Sequence, residues 1–334
     1  MTALALPVRT ARGRTGTPTA AATLVAAVAA ACVLSVLVGS RTIGPAAIWD
    51  AADPAHFIVE ARVPRTLLAL AVGGALALAG ALLQGLTRNP LADPGILGVN
   101  AGASFAMVLA ISAFGVSSLT GYLWFALAGA AVATIAVHAV AGLGRDGATP
   151  MKLAIAGAAL TAALTSWTSA VLLTDRRTLE TFRVWQVGTV GGRSLEVLTV
   201  GLPFLLVGVA LARAGTRLLD ALALGDDVAR GLGRRTALDR LLLGVAVVLL
   251  AGTATALAGP IAFVGLIVPH GVRAVLGPGH RRLLPFSLGY GAVLTVLADT
   301  LGRVVLPPTE VQVGIMTAAV GVPVFLGLLR RGRA

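Results

Sequence analysis

The fold of this chain is decided by the stretch from Ala61 to Ser104, which reads ARVPRTLLALAVGGALALAGALLQGLTRNPLADPGILGVNAGAS. Arg62 and Arg65 are three positions apart, so they share one face of a helix start, and Pro64 between them suits a first turn that needs no N–H donor. The stretch then carries no charge from Thr66 to Thr87. This pattern predicts a membrane helix with two arginines at its mouth.

The composition of the whole chain is that of a membrane protein. Of its 334 residues, 57% are hydrophobic and 12% are charged, whereas an ordinary soluble domain has about 25% charged residues. Ten apolar runs are long enough to cross about 30 Å of hydrocarbon, which predicts an all-α polytopic protein. A cytoplasmic tail (residues 1–19) would precede a single transmembrane domain (residues 20–334). The predicted spans are Ala20–Val38, Thr66–Leu86, Ile96–Phe114, Leu119–Leu143, Met151–Leu173, Val197–Leu211, Leu241–Leu257, Ile261–Leu276, Leu284–Val305 and Val313–Leu329.

The net charge of +12 is distributed in a way that orients the protein. If the N-terminus is cytoplasmic and ten spans follow, the inner segments hold 18 basic and 6 acidic residues, and the outer segments hold 8 of each. This positive-inside asymmetry predicts that both termini are cytoplasmic. The surplus positive charge thus orients the protein in membrane lipid, and we predict no nucleic acid as partner.

The first apolar run resembles a signal peptide because three arginines precede it. The run continues past Cys32 to Val38, however, which predicts an uncleaved first span. Cys32 is the only cysteine, so an intrachain disulfide and a cysteine-based zinc cluster are both excluded.

A search of the sequence for catalytic chemistry is negative. The four histidines are far apart, and the chain has neither a G-x-S-x-G turn nor a G-x-x-x-x-G-K-S/T phosphate loop. We therefore predict a protein that is not an enzyme and that holds no metal or cofactor. If transport is driven by ATP, a separate chain must supply the ATPase.

A stripe of small residues runs along the second span. Gly73, Ala77, Ala81 and Gly85 recur every four positions, and such a stripe lets two membrane helices approach closely. We predict a helix-packing face there.

Besides residues 61–104, three further segments carry recognisable motifs. They are LLDALALGDDVARGLGRR at Leu218–Arg235, ALAGPIAFVGLIVPHGVR at Ala256–Arg273 and PPTEVQVGIMTAAVGVPVFLGLLRR at Pro307–Arg331. Together they resemble the permease subunit of bacterial ABC importers for iron-siderophores and cobalamin, the FecCD type, over nearly the whole chain. The resemblance implies a type II importer permease in the bacterial cytoplasmic membrane that takes up an iron chelate by alternating access.

The resemblance also implies partners. The family builds its pathway between two permease subunits, identical or paralogous, which two ATP-binding subunits drive and an extracytoplasmic substrate-binding protein supplies. ATP and Mg would be used by the partner ATPases. Cobalamin or haem is an alternative substrate on the same fold.

The most charged inner segment, Leu218–Arg235, is predicted to form two short helices broken at Gly225 and at Gly231-Gly233. In the family the matching loop forms coupling helices that sit in a groove of the ATPase. The alternative is a solvated connector. The resemblance assigns the contact to Leu222, Ala223, Gly225, Asp226, Asp227, Ala229, Arg230 and Gly231.

The resemblance groups Arg303 with Arg62 and Arg65 at the outer rim, where exposed arginines receive carboxylates from the substrate-binding protein. A guanidinium suits this role because it stays charged and can bond a carboxylate through two N–H groups. Anchoring to lipid headgroups is the alternative for all three. For Arg303 an ion pair with Asp299, four residues earlier, is a further one.

The pathway and its inner closure are predicted from two groups of residues. Asn89 and Leu91, in the NPLADP turn, match the inner closure of the family, and Thr149 lies near a loop that contributes to it. Asp93 precedes Pro94, as a helix N-cap would.

The fifth span carries hydroxyl groups on one face. Thr161, Thr165 and Thr168 would form a mildly polar wall along the translocation path, as the resemblance implies. Alternatively, each hydroxyl donates to the carbonyl one turn back.

Two other classes stay open. An ion-coupled secondary transporter would usually carry buried carboxylates near the bilayer midplane, and Asp299, toward the outer end of its span, is the one candidate in a predicted span. A membrane-embedded enzyme would need a paired nucleophile and base, which the sequence does not offer.

Overall fold

The structure, a computed structural model, describes residues 16–143, 149–231 and 236–331. Every regular element in these ranges is helical, as predicted. A 3-10 turn (Pro94–Leu97) precedes α4, and a π turn (Val248–Gly252) joins α11 to α12. The helices are α1 (Thr17–Leu37), α2 (Ala46–Trp49), α3 (His56–Thr87), α4 (Val99–Ser112), α5 (Leu119–Ala141), α6 (Pro150–Thr174), α7 (Arg176–Gln186), α8 (Leu195–Ala214), α9 (Thr216–Leu222), α10 (Asp226–Gly231), α11 (Thr236–Val247), α12 (Thr253–Ala258), α13 (Val264–Leu276), α14 (His280–Val305) and α15 (Val313–Arg331).

Each of the ten predicted spans coincides with an apolar helical segment. In the described part of the chain, seven helices are long and apolar enough to cross a membrane: α1, α3, α5, α6, α8, the continuous α11–α12 and α14. The other three, α4, α13 and α15, are shorter apolar helices. The all-helical prediction is therefore confirmed, and seven of the ten predicted spans have the length of a full span.

The predicted eighth span is only partly helical. Helix α13 has 13 residues, about 20 Å at 1.5 Å per residue, which is too short to cross the hydrocarbon. The residues before it, 259–263, are not helical, and the backbone N–H of Thr189 donates to the Ala258 carbonyl at 2.7 Å where α12 ends. Non-helical backbone is tolerated at membrane depth only where protein or a cavity surrounds it, and Gly259 and Ile261 are buried.

Helices α3 and α14 pack face to face through small residues. A methyl group at Gly73 would overlap the Gly291 carbonyl and the Thr295 hydroxyl of α14, and one at Gly291 would overlap Ala77. The predicted small-residue stripe thus faces α14, and its packing role is confirmed. Close approach of the two backbones needs glycine at these crossings.

The start of α3 differs from the prediction. The helix begins at His56, so Pro64 is its ninth residue and lies inside the helix, not in its first turn. The expectation that Arg62 and Arg65 mark a helix start is wrong. They are one turn apart on a helix that continues outward past them.

The inner segment forms two short helices, α9 and α10, that meet at Gly225. This glycine has a φ of 114°, a conformation that side chains disfavour, and it makes the break possible. The predicted break at Gly225 is confirmed. Gly231 ends α10, and Gly233 lies outside the described residues.

The sequence prediction missed α7, an amphipathic helix between α6 and α8. Asp175 caps it, because one carboxylate oxygen accepts from the backbone N–H groups of Arg177 at 3.0 Å and Thr178 at 3.3 Å. The Thr178 hydroxyl also donates to this carboxylate, and its bond together with the two backbone bonds lowers the pKa of Asp175 below its usual value. Phe182 and Trp185 fix α7 to the bundle, since both side chains are buried.

Candidate functional site

The outer end of the α3–α14 pair holds a cluster of arginines and carboxylates. Arg65 Nε and Nη2 each donate to the Asp299 carboxylate at 2.8 Å, so the pair is bidentate. Arg65 Nη1 also donates to Glu310 Oε2 at 2.6 Å. Arg65 therefore joins α14 to the loop that precedes α15.

Arg303 lies on the other side of the same carboxylate. Its Nε is 3.4 Å from Asp299 Oδ2, and its Nη2 donates to the hydroxyls of Ser35 and Thr300 at 2.9 and 3.0 Å. The ion pair with Asp299 that the sequence suggests is present. This contact is longer than the ion pair between Asp299 and Arg65. The main partner of Asp299 is therefore Arg65 of α3.

Arg62 bonds to backbone, not to an acid. Its Nη1 donates to the Val36 carbonyl at 2.7 Å and its Nη2 to the Arg41 carbonyl at 2.6 Å. Both carbonyls belong to the end of α1 and the loop after it. Arg62 therefore holds this loop against α3.

The predicted exposure of the three arginines is wrong for two of them. Arg62 is 7% exposed and Arg303 is 1% exposed, because α1 and its loop cover both. A buried guanidinium cannot lie among lipid headgroups, so headgroup anchoring does not describe these two. The side chain of Arg65 is 14% exposed, and that of its partner Glu310 is 40% exposed. The accessible part of the cluster is Arg65 with Glu310.

At the inner face, the predicted coupling residues divide by burial. Leu222 and Ala229 are fully buried in the bundle, so their assignment to an outward contact is wrong. Ala223, Asp227 and Gly231 are exposed, and Gly225 is partly exposed. The side chains of Asp226 and Arg230 lie outside the described part of the structure.

Two exposed apolar residues of this segment were missed by the sequence reasoning. Leu224 is 70% exposed and Val228 is 45% exposed. They flank the break between α9 and α10 and give the segment an apolar outer surface. The signal available was their presence among charged residues in an inner loop.

The NPLADP turn is held by its own side chains. Asn89 Oδ1 accepts from the Leu91 backbone N–H at 2.9 Å, and Asp93 Oδ1 accepts from the Gly95 backbone N–H at 2.8 Å. The predicted N-cap role of Asp93 is confirmed. Asn89 and Leu91 are exposed. Asn89 also lines a cavity of about 40 Å³ shared with Leu153 of α6, so the turn lies against the start of that helix.

Asp93 is more deeply placed than an inner loop residue would be. It lines a cavity of about 10 Å³ together with Leu76 of α3, Asn100 of α4 and Gly265 of α13, roughly the space of one water molecule. Asn100 in turn accepts from the Thr255 hydroxyl at 2.9 Å, just after the π turn. Asp299 is therefore not the only carboxylate inside the bundle.

The hydroxyl groups at and along α6 have different surroundings. Thr149 caps the helix, since its hydroxyl accepts from the Lys152 backbone N–H at 3.3 Å. Thr168 is buried and donates to the Leu164 carbonyl at 2.7 Å, so for this residue the alternative of a bond one turn back is confirmed. Thr161 is partly exposed and Thr165 is exposed, and their place in a pathway stays a prediction.

Comparison with known proteins gives this arrangement a family. The FecCD transport family model matches residues 27–331. The chain is 44% identical over 278 residues to the "Probable siderophore transport system permease protein YfiZ" of Bacillus subtilis (strain 168), covering 83% of this chain and 84% of the relative. It is 43% identical over 307 residues to the "Ferric enterobactin transport system permease protein FepD" of Escherichia coli (strain K12), covering 90% and 92%.

A solved structure agrees in fold. It is described as "An inward-facing conformation of a putative metal-chelate type ABC transporter", with a TM-score of 0.84 and 28% identity, covering 94% of this chain and 99% of that chain. Since the family match spans most of the chain and the relatives exceed 40% identity over nearly their whole length, this polytopic membrane protein belongs to the FecCD transport family.

Proposed function

We propose that this chain is the permease subunit of an ATP-driven importer that carries ferric siderophores across the bacterial cytoplasmic membrane by alternating access. The observation that carries the proposal is the similarity to permeases named for siderophore and ferric enterobactin transport, over more than four fifths of both chains. The chain itself has no phosphate loop. ATP and Mg would therefore be used by a separate ATPase.

The proposed importer contains a second permease subunit, identical or paralogous, and two ATPases. The outward face of α6 suits the side that meets the pathway, because Thr165, Ser166 and Ser169 are exposed there. Hydroxyl groups gain little from contact with lipid tails, whereas they can bond to a polar chelate. Asn89, Leu91 and Thr149 would contribute to the inner closure below this wall.

The apolar surface made by Leu224 and Val228 is proposed as the contact with the ATPase, together with the exposed Ala223, Asp227 and Gly231. Leu224 and Val228 are close together in sequence, and apolar side chains that form one exposed patch mark a surface that a protein partner can cover. Among the residues assigned from the family pattern, Leu222 and Ala229 would support this surface from beneath. Both termini would be cytoplasmic, in keeping with the positive-inside charge asymmetry.

At the outer face, Arg65 is proposed as the residue that receives a carboxylate of the substrate-binding protein. Its Nη1 donates to Glu310, which is partly exposed and can be displaced, whereas its other two nitrogens, Nε and Nη2, donate to Asp299. Arg62 and Arg303 would act behind it, by fixing α1 and α14.

The test is reconstitution. The permease is purified from its own membranes with the ATPase that accompanies it, placed in liposomes with the binding protein, and supplied with ⁵⁵Fe-labelled catecholate, hydroxamate and citrate complexes. Uptake should require ATP on the side of the liposome membrane that the ATPase faces. It should favour one class of ferric complex. Labelled haem and cobalamin serve as the competing substrates. If either is taken up in preference to the ferric complexes, that compound becomes the assigned substrate.

The ion-coupled alternative is tested in the same liposomes. The observation that favours this alternative is the position of Asp93, which lines a cavity between helices of the bundle. Permease without ATPase is given sodium or proton gradients. Uphill iron uptake under these conditions would overturn the proposed ATP-driven mechanism.

A further inference from the structure

A carboxylate on α9 caps the N-terminus of α14. Asp220 Oδ1 accepts from the backbone N–H of His280 at 2.9 Å and from His280 Nδ1 at 2.8 Å. His280 is the first residue of α14, and Gly279 before it has no side chain with which to cap the helix. A carboxylate at this position also interacts favourably with the helix dipole. The first turn of α14 is therefore capped from a different helix.

The ring of His280 is enclosed between α9 and α3. The residue is 7% exposed, and because a carboxylate can only accept, Nδ1 carries the hydrogen that bonds Asp220. On the opposite edge of the ring, Nε2 would be 2.8 Å from a methyl group at Gly85 of α3. Leu218 and Leu219 of α9 are buried. The contact is thus held in place by packing on both sides.

Pro285 makes the start of α14 depend on this cap. It lies inside the helix and has no N–H to donate to the carbonyl of Arg281. The first turn is therefore stabilised by fewer internal hydrogen bonds than an ordinary one. Asp220 accepts from the His280 N–H, which has no partner within the helix, and so adds one bond to a turn that lacks another.

The far end of the same helix carries the outer cluster. Asp299 follows His280 by 19 residues, about 28 Å along the axis. Between the two ends α14 is closely packed on α3, because Gly73 meets Gly291 and Thr295. One helix therefore contacts the inner segment at one end and Arg65 at the other.

We propose that Asp220 is a positioning residue for coupling: it fastens α9 to α14, so that α14 follows α9 when an ATPase displaces it and shifts the outer cluster. The inference rests on the proposed function, since it assumes that the segment of α9 and α10 contacts an ATPase. Asp220 itself need not touch the ATPase. Its role is to join the displaced segment to the helix that reaches the outer face.

The experiment separates the tie between helices from the capping of α14. Asp220→Ala removes both, whereas Asp220→Asn keeps an acceptor oxygen at the same place. In the double variant Asp220→Ala with Gly279→Asp, the carboxylate moves to the N-cap position of α14 itself. Gly279 has an ordinary φ of −64° and open space around it, so aspartate fits. The double variant is capped but not tied to α9.

Each variant is reconstituted with the ATPase, and iron uptake per ATP hydrolysed is measured beside ATPase recovery and melting temperature. Asp220→Ala should recover wild-type amounts of ATPase but lower uptake per ATP by about fivefold, the change in an equilibrium that the loss of one hydrogen bond between α9 and α14 typically makes. Asp220→Asn should stay close to wild type. The double variant should regain the melting temperature but not the coupling. If Asp220→Ala alone is too unstable to purify, the double variant carries the test.

A second readout follows the outer end directly. In a Cys32→Ala background, Leu306→Cys places a thiol at the exposed C-cap of α14. In proteins with Asp220 or with Asp220→Asn, ATP should change the rate at which maleimide labels this thiol. In the double variant, ATP should leave the rate unchanged.

Wild-type coupling and labelling in the double variant, or equal losses with Asp220→Asn and Asp220→Ala, would overturn the inference while leaving the importer function intact. Wild-type permease that recovers no ATPase would instead overturn the proposed function.

Discussion

Arg65 and Asp299 are 234 positions apart, yet the guanidinium of one meets the carboxylate of the other through two hydrogen bonds of 2.8 Å. The side chain of Asp299 is 2% exposed and that of Arg65 is 14% exposed. Arg303 approaches the same carboxylate from its own helix at 3.4 Å. One buried acid thus lies between two guanidinium groups and connects the outer ends of α3 and α14.

Asp299→Ala should strongly destabilise the protein, because it removes the carboxylate beside Arg303 and leaves Arg65 with Glu310 alone. Removal of one partner of a buried ion pair typically costs about 3–5 kcal/mol. Denaturation in detergent, followed by tryptophan fluorescence, measures the change. Glu310→Ala is the matched control, since its carboxylate is partly exposed and should matter by less than about 1 kcal/mol. Equal losses in the two variants would contradict the central role of Asp299.

Docking of a substrate-binding protein should respond in opposite directions to Arg65→Gln and Glu310→Gln. The first removes the proposed receptor of the incoming carboxylate and should weaken binding. The second frees Arg65 Nη1 from its present partner and should strengthen binding. Both effects should shrink at high salt, because exposed charges are screened over about 8 Å at physiological ionic strength. Binding to permease in nanodiscs, measured by surface plasmon resonance, decides the matter, and unchanged affinity in both would remove Arg65 from the interface.

Arg62→Glu and Arg303→Glu belong to a separate prediction because these residues are buried. Charge reversal there should lower stability before it affects docking, since a carboxylate would replace a bonded guanidinium. Arg62→Glu would also place a carboxylate, which can only accept, opposite the Val36 and Arg41 carbonyls, so both carbonyls would lose their donor. Thermal unfolding in detergent should show both losses. Variants that melt like the wild type but bind the partner poorly would assign these arginines to the interface after all.

Leu224→Asp should weaken recovery of the ATPase without unfolding the bundle. Leu224 is exposed on the inner segment, so a charge there is tolerated by the permease and disfavoured in an apolar contact. Leu222→Ala is the contrasting variant, because this side chain is fully buried and its loss should cost about 2–5 kcal/mol of stability. Pull-down and melting are measured for both. Full ATPase recovery with Leu224→Asp would favour the solvated connector.

The cap of α7 predicts an acid dependence that is local. The pKa of Asp175 is lowered by its bonds to the start of α7, so its stabilising effect is present above the usual aspartate pKa near 4 and is lost as the pH falls through the lowered value. The protection factors of the α7 amides, which correct for the intrinsic pH dependence of exchange, should therefore fall below about pH 4. Asp175→Ala should exchange faster at neutral pH and lose this acid dependence. A wild-type helix equally protected at both pH values would contradict the assignment.

Much of the fold follows from apolar runs and local backbone chemistry. The ten helical segments, the small-residue face of α3 and the break at Gly225 each depend on residues close together in the chain. Hydropathy fails at Gly259–Phe263, because the apolar run continues across a stretch that is not helical. It also misses α7, which is charged along one face and is fixed by the buried Phe182 and Trp185.

The candidate site was predicted as a set of residues but not as an arrangement. The pairings of Arg65 with Asp299 and of Asp220 with His280 join distant parts of the chain, and nothing in the local sequence selects them. Leu222 and Leu224 are two residues apart in one segment and point to opposite surroundings. Which of them is exposed depends on the helices that pack against α9, so burial could not be read from residue type.

The two buried charged residues near the outer end of α14, Asp299 and Arg303, have a consequence for the insertion of the protein into the membrane. A membrane-inserted helix with aspartate and arginine near its outer end is costly on its own, at about 2.5–3.5 kcal/mol for a charged residue at the centre of a span and less toward its ends. Helix α3 leaves the ribosome long before α14, and it carries Arg65, which binds Asp299. Stable insertion of α14 should thus require α3 already in the bilayer, so the translocon must release the early helices where the late one can still reach them.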